Sequence, residues 1–188
     1  MKKNYNYYKI LTLSLCFFMF FSSFSASSQK NSLYDLSFKS IDGDNIHLKK
    51  FHNKVILVVN TASFCGFTKQ FSDLQYIWEK YRNDGLVVIG VPSNDFGQEA
   101  KTTKKVKEVC FMNFNIDFII TEISSLRGKN AHPLFEYLNS KLGLRSIPKW
   151  NFYKYIIGRD GMPMKWYSSW TNPKSKKFIR DLENILFG

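Results

Sequence analysis

Val55–Gln70, VILVVNTASFCGFTKQ, decides how the chain is read. A run of β-branched and aliphatic residues, Val55–Val59, ends in polar Asn60, and a Thr-Ala-Ser turn leads to Cys65 and Gly66. After the cysteine, Phe67, Phe71, Leu74, Trp78 and Tyr81 recur at steps of four, three, four and three, which predicts one apolar face of a helix from about Phe67 to Tyr81. Cys65 is therefore expected where a buried strand hands over to a helix N-terminus. Unpaired N–H groups and the positive end of the helix dipole favour an anion there. A cysteine in such a place inclines towards thiolate, the reactive form. The alternative is a small buried hydrophobe after a core strand, a common use of cysteine.

Downstream, Asn83-Asp84-Gly85 reads as a turn and Leu86–Val91 as a second continuous apolar strand. Two buried strands joined by a helix make a βαβ unit with parallel strands. Pro92–Ala100 is a polar loop leaving the C-terminal end of the second strand, where open α/β sheets carry their sites. Thr103–Asn113 reads as a helix with Val106, Val109 and Cys110 inward, Phe118–Ile120 as a strand, and Pro133–Leu142 as a helix opened by proline. Phe152–Ile157 and Met164–Tyr167 pair across an Arg159-Asp160-Gly161 turn. Asn172-Pro173 is read as capping a last helix, with Phe178, Leu182 and Ile185 buried. Before the βαβ unit, Asn31–Phe51 alternates around Asp42-Gly43-Asp44 as a hairpin. This order fits an α/β, thioredoxin-like fold: a central mixed β-sheet flanked by helices.

The N-terminus is of another kind. Lys2, Lys3 and Lys9 precede an uncharged apolar run, Ile10–Phe21, followed by small polar residues Ser22–Ser28. That is the pattern of a signal peptide, expected over residues 1–26 with cleavage in Ser25–Gln29, and the run is short for a membrane span. The protein is expected to be exported, periplasmic or secreted, and membrane-anchored if the segment is retained, with residues 27–188 as one domain. Removing three lysines lowers the net charge from +12 to +9. The excess lies in runs such as Lys101–Lys107 and Lys174–Lys177. No aromatic-basic motif or zinc spacing accompanies them, so no nucleic-acid partner is expected. A solvated basic face of this kind suits an acidic thiol or transient contact with a membrane surface.

Of three cysteines, only Cys65 and Cys110 follow the leader. In an exported chain the two could form a structural disulfide, giving a non-catalytic thioredoxin-fold module. A C-x-x-C exchanger is disfavoured because Thr68 fills the second position. A peroxiredoxin would carry Thr three residues before its cysteine, whereas Thr61 is four before. A thiol hydrolase needs a histidine partner, and His47, His52 and His132 lie in no hydrolase motif.

Three ordered motifs carry a family likeness. Asn60–Thr68 (NTASFCGFT), Leu86–Glu99 (LVVIGVPSNDFGQE) and Lys149–Gly161 (KWNFYKYIIGRDG) resemble the signatures of the glutathione peroxidase family in its cysteine form, over nearly all the chain after Leu33. The resemblance implies a peroxidase with Cys65 as the peroxidatic residue, assisted by Gln98, Trp150 and Asn151. It also implies Cys110 as resolving cysteine, in the place used by thioredoxin-dependent members. Indole and amide N–H groups are neutral donors, suited to stabilising a thiolate and the oxygens of a breaking O–O bond. Hydroperoxide is then the substrate, a thioredoxin-like protein or glutathione the reductant, and neither cofactor nor metal is needed. Ser93, Asp95, Ala100 and Lys69 replace residues common in the family, and the loop before Gln98 is one residue short. The segment between Tyr137 and Trp150 lacks the insertion of tetrameric members, which implies a monomer.

Overall fold

The computed structural model describes residues 32–188; the leader expected over 1–26 lies outside the described residues. The central strand is β3, Val55–Thr61, and all seven of its residues are buried. Alternation explains how. Val55, Leu57 and Val59 pack into one apolar cluster with Phe71, Leu74, Ile77, Phe178 and Leu182. Ile56 and Val58 pack into another with Phe38, Leu48, Leu134, Phe135 and Leu138. Successive strand side chains point to opposite faces, so a sheet covered on both sides reads as an unbroken apolar run.

Around β3 the sheet runs β5-β4-β3-β6-β7. β4 (Leu86–Pro92) is parallel to β3, residue for residue from Val55↔Leu86 to Thr61↔Pro92. β6 (Lys154–Ile157) is antiparallel on the other side, and β7 (Pro163–Tyr167) pairs with β6 through a bulge. The short edge strand β5 (Ile119–Ile120) is parallel to β4. Gly90 faces it, and a Cβ there would lie 2.7 Å from Ile120 Cδ1, so any side chain at this position requires Ile120 to move. A separate hairpin, β1 (Ser37–Lys39) and β2 (Asn45–His47), turns on Gly43 at φ +96°. Helices α1 (Gln70–Tyr81) and α4 (Lys176–Phe187) lie on one face and α3 (Pro133–Leu142) on the other.

Several expected boundaries move, most of the strand ends by one or two residues. The first helix starts at Gln70 rather than Phe67, because Gly66–Lys69 is folded into turns: Thr68 N donates to Cys65 O (3.0 Å) and Gln70 N to Phe67 O (2.8 Å). β6 starts at Lys154 rather than Phe152, since Phe152 has φ +64°, outside extended geometry. Ser175, not Asn172, caps α4: its hydroxyl accepts from Phe178 N, while the Asn172 side chain accepts from Lys174 N. The expected Thr103–Asn113 helix divides into a regular turn, α2 (Thr103–Lys107), and a π-helical stretch, Glu108–Asn113.

Candidate active site

β3 and β4 end side by side, and the loops leaving them, with the turn that enters β6, build the site. Beyond Thr61 the backbone is held by its neighbour loop: Ser63 N donates to Glu99 Oε1 at 3.0 Å and Phe64 N to Gln98 O at 2.9 Å. Cys65 N donates to Thr68 Oγ1 at 3.0 Å, and that hydroxyl lies 2.7 Å from Cys65 O and 3.0 Å from Ala62 O. Thr68 thus closes the turn that displaces the helix start. In consequence the N–H at the Cys65 sulfur is that of Phe67 in the turn, at 3.5 Å, not one from the first turn of α1. Cys65 is 7% exposed, while Phe64 beside it is 59% exposed. The thiol is buried, beside an exposed aromatic residue.

The three other expected site residues come together from two loops. Asn151 is fully buried and donates Nδ2 to Gln98 Oε1 at 2.9 Å. This bond leaves the Gln98 amide N–H₂ group as a donor. The shortened loop therefore still brings Gln98 to Asn151, with Gly97 at φ +69° making the bend. Trp150 packs against Phe96 at a centroid distance of 5.6 Å and is 41% exposed. Gln98 is tied through its own carbonyl to Phe64, the residue before the thiol.

Cys110 is fully buried in the π-helical stretch, in the same apolar cluster as Cys65, and both cysteines are free thiols. Burial pushes the Cys110 thiol up to about 12, and the Glu99 carboxylate adds to the shift. Glu99 is itself raised by burial, against the bonds from Ser63 and Ala100 N (2.7 Å). One buried carboxyl thus connects the Cys65 turn with the approach to the Cys110 helix.

Residues not singled out from the sequence complete the support. Asn60 donates Nδ2 to Trp150 O (3.1 Å) and accepts from Tyr153 N at Oδ1 (2.9 Å). Ser169 Oγ donates to Asn151 O at 2.5 Å, and Gln70 Nε2 to Ser169 O at 2.7 Å. Lys154 is fully buried, donating to Phe152 O at 2.7 Å and Ser168 O at 3.3 Å. A signal for two of them was present: Asn60 ends an apolar run, and Lys154 interrupts one, FYKYII.

A lone thiol on the turn after the central strand, with Thr68 where a C-x-x-C motif needs its second cysteine, makes this a thioredoxin-fold thiol enzyme other than a disulfide exchanger. Residues 33–139 match the family described as glutathione peroxidase, and the chain belongs to that family. It is 40% identical over 148 residues to the glutathione peroxidase homolog BsaA of Bacillus subtilis, covering 76% of this chain and 92% of that one. It is 36% identical to the hydroperoxy fatty acid reductase gpx1 of a Synechocystis species, covering 83% and 96%. The solved structure of T. cruzi GPX1 superposes with a TM-score of 0.66 at 29% identity, covering 84% of this chain and 98% of that one. The protein is a thiol peroxidase.

Proposed function

We propose that this chain reduces hydrogen peroxide and organic or lipid hydroperoxides through Cys65. The Cys65 thiolate attacks the terminal peroxide oxygen, the O–O bond breaks, and water or an alcohol leaves after taking up a proton. Cys65 is left as a sulfenic acid. The Cys110 thiol then condenses with it, forming the Cys65–Cys110 disulfide and releasing water. A dithiol of a thioredoxin-like protein, or two glutathione molecules, returns both cysteines to thiols.

The observation that carries the reading is the convergence of Gln98, Asn151 and Trp150 on the loop that holds Phe64, one residue from the thiol. Preorganised neutral donors there suit a transition state in which negative charge moves from sulfur to oxygen. The name of the Synechocystis relative supports lipid hydroperoxides, as do the exposed Phe64, Trp150 and Trp170, which offer an apolar rim for an acyl chain. Such a rim beside lysines also suits transient contact with a membrane surface.

Resolution by Cys110 requires movement. A buried thiol raised to about 12 does not attack as it lies, and disulfide geometry needs Cα atoms within about 7 Å. The π-helical stretch supports this role, because such wide turns are rare and occur frequently at functional sites. Export by the N-terminal segment, and action as a monomer, belong to the same proposal. An oxidising compartment would then need a dedicated thiol reductant.

The test is one equivalent of hydrogen peroxide added to pre-reduced protein, with intact mass and thiol mapping. Loss of two hydrogens with a Cys65–Cys110 bond, abolished in Cys65→Ser, supports the full cycle. A sulfenic or over-oxidised Cys65 beside a free Cys110 removes the resolving role and favours a small thiol reductant. No reaction within minutes refutes the proposal and leaves a structural thioredoxin-fold module.

A further inference from the structure

Every carbonyl of the Trp150–Tyr153 turn has a donor. Trp150 O receives Asn60 Nδ2 (3.1 Å), Asn151 O receives Ser169 Oγ (2.5 Å), Phe152 O receives Lys154 Nζ (2.7 Å), and Tyr153 O receives Asn60 N (3.2 Å). Two of its N–H groups are held from the other side, Phe152 N by Asn60 O (2.6 Å) and Tyr153 N by Asn60 Oδ1 (2.9 Å). The turn needs such holding. Phe152 has φ +64°, a conformation that persists for a bulky side chain only where the surroundings over-determine it.

Among these donors Lys154 is anomalous. It stands in β6 between aromatic and aliphatic residues, fully buried, and no carboxylate of the described residues forms an ion pair with it. Taking an ammonium out of water without a counter-charge is unfavourable, and an apolar side chain of similar volume is the stable choice at such a position. Burial accordingly drives the group down to about 7. Packing does not require a lysine here. What its amine does, and methionine could not, is reach back two residues to Phe152 O while also holding Ser168 O in the connection between β7 and α4.

We propose that Lys154 is a positioning residue for the peroxide step: by bridging the Phe152 and Ser168 carbonyls it holds the left-handed turn that delivers Asn151 to Gln98 and Trp150 to Phe96 of the same loop. The inference rests on Cys65 being the peroxidatic thiol. Lys154 acts through the turn, so its removal displaces the donors without touching the sulfur.

The experiment compares full-length wild type, Lys154→Met, Asn151→Ala and the double variant in two single-turnover reactions of Cys65. One is oxidation by hydrogen peroxide and the other is alkylation by iodoacetamide, which needs no donors for departing oxygen. Lys154→Met is expected to slow the peroxide reaction roughly 10- to 100-fold, the loss that follows small displacements of preorganised groups. Alkylation is expected to stay within about threefold, and in the Asn151→Ala background the further loss of peroxide rate should shrink to about threefold or less. Lys154→Gln keeps a shorter donor and is expected to fall between; it carries the test if the methionine variant does not fold. An unimpaired peroxide rate, parallel losses in both reactions, or equal losses in both backgrounds would overturn the positioning role. A wild type inert to peroxide would overturn the peroxidatic reading itself, and the inference with it. A reactive wild type matched by Lys154→Met overturns the inference alone.

Discussion

Lys154 also makes a prediction about stability that is independent of catalysis. Its folded-state value is about 7 against an ordinary 10.5, with burial as the cause. Below about pH 7 the folded and unfolded chains both carry the proton, and this group adds no pH dependence. Between about 7 and 10.5 the unfolded chain holds a proton that the folded chain has released. Unfolding then takes up a proton, so stability rises with pH, by at most ~1.4 kcal/mol per unit. The burial penalty present at low pH is on the order of 4–5 kcal/mol, and it is relieved across that window.

Urea unfolding of reduced wild type and Lys154→Met at several values between about pH 6.5 and 9.5 reads this directly. Cys110 and the buried tyrosines titrate in both proteins, and their opposite contribution cancels in the difference. The methionine variant lacks the lysine slope but also leaves two carbonyls without a donor, so the slope of the difference is the prediction, not its sign at one pH. Stability of the variant relative to wild type should fall by about 3 kcal/mol from the low to the high end of that range. A difference that stays flat within about 0.5 kcal/mol would show that the amine is hydrated or paired in solution, and would refute the reasoning.

Two further outcomes follow from the same geometry. Asn60→Ala strips Tyr153 N and Trp150 O of buried partners and should cost about 2–5 kcal/mol in urea unfolding, together with a slower peroxide reaction. With a thiol raised to about 12, Cys110 should be alkylated in the folded reduced protein at pH 8 at least 100-fold more slowly than a free cysteine, since only roughly 10⁻⁴ of it is thiolate; sub-denaturing urea should accelerate Cys110 selectively, as read by peptide mapping, if the π-helical stretch opens locally.

The parts legible in advance share a cause. Val55–Val59 and Leu86–Val91 lie in strands buried on both faces, and that condition writes itself into a chain as unbroken apolar, largely β-branched residues. Pro133 opens α3 as its position implies, and Asp42-Gly43 lies in the turn joining β1 to β2. What did not follow from pattern is where a side chain outbids the local preference. Thr68 takes the Cys65 amide and delays α1 by three residues, and Ser175 rather than Asn172 satisfies the α4 N-terminus. The division of the second helix into α and π segments has no signal in periodicity, because Val106, Val109 and Cys110 stay buried either way.

By itself, the sequence determined a two-sided α/β sheet, a thiol shortly after its core strand, and a family likeness spread over three separate motifs. These depend on alternation, on turn residues and on motif order, which are properties of neighbours along the chain. That the thiol lies in a turn ahead of α1, not at the helix N-terminus, was decided by the fold. Only the tertiary structure decided that Asn151 meets Gln98, that Glu99 joins the Cys65 turn to the approach of Cys110, and that Asn60, Ser169 and Lys154 pin the Trp150–Tyr153 turn. Those contacts join residues mostly 15 to over 90 positions apart, and buried backbone groups accept whatever donor the packed fold brings within about 3 Å.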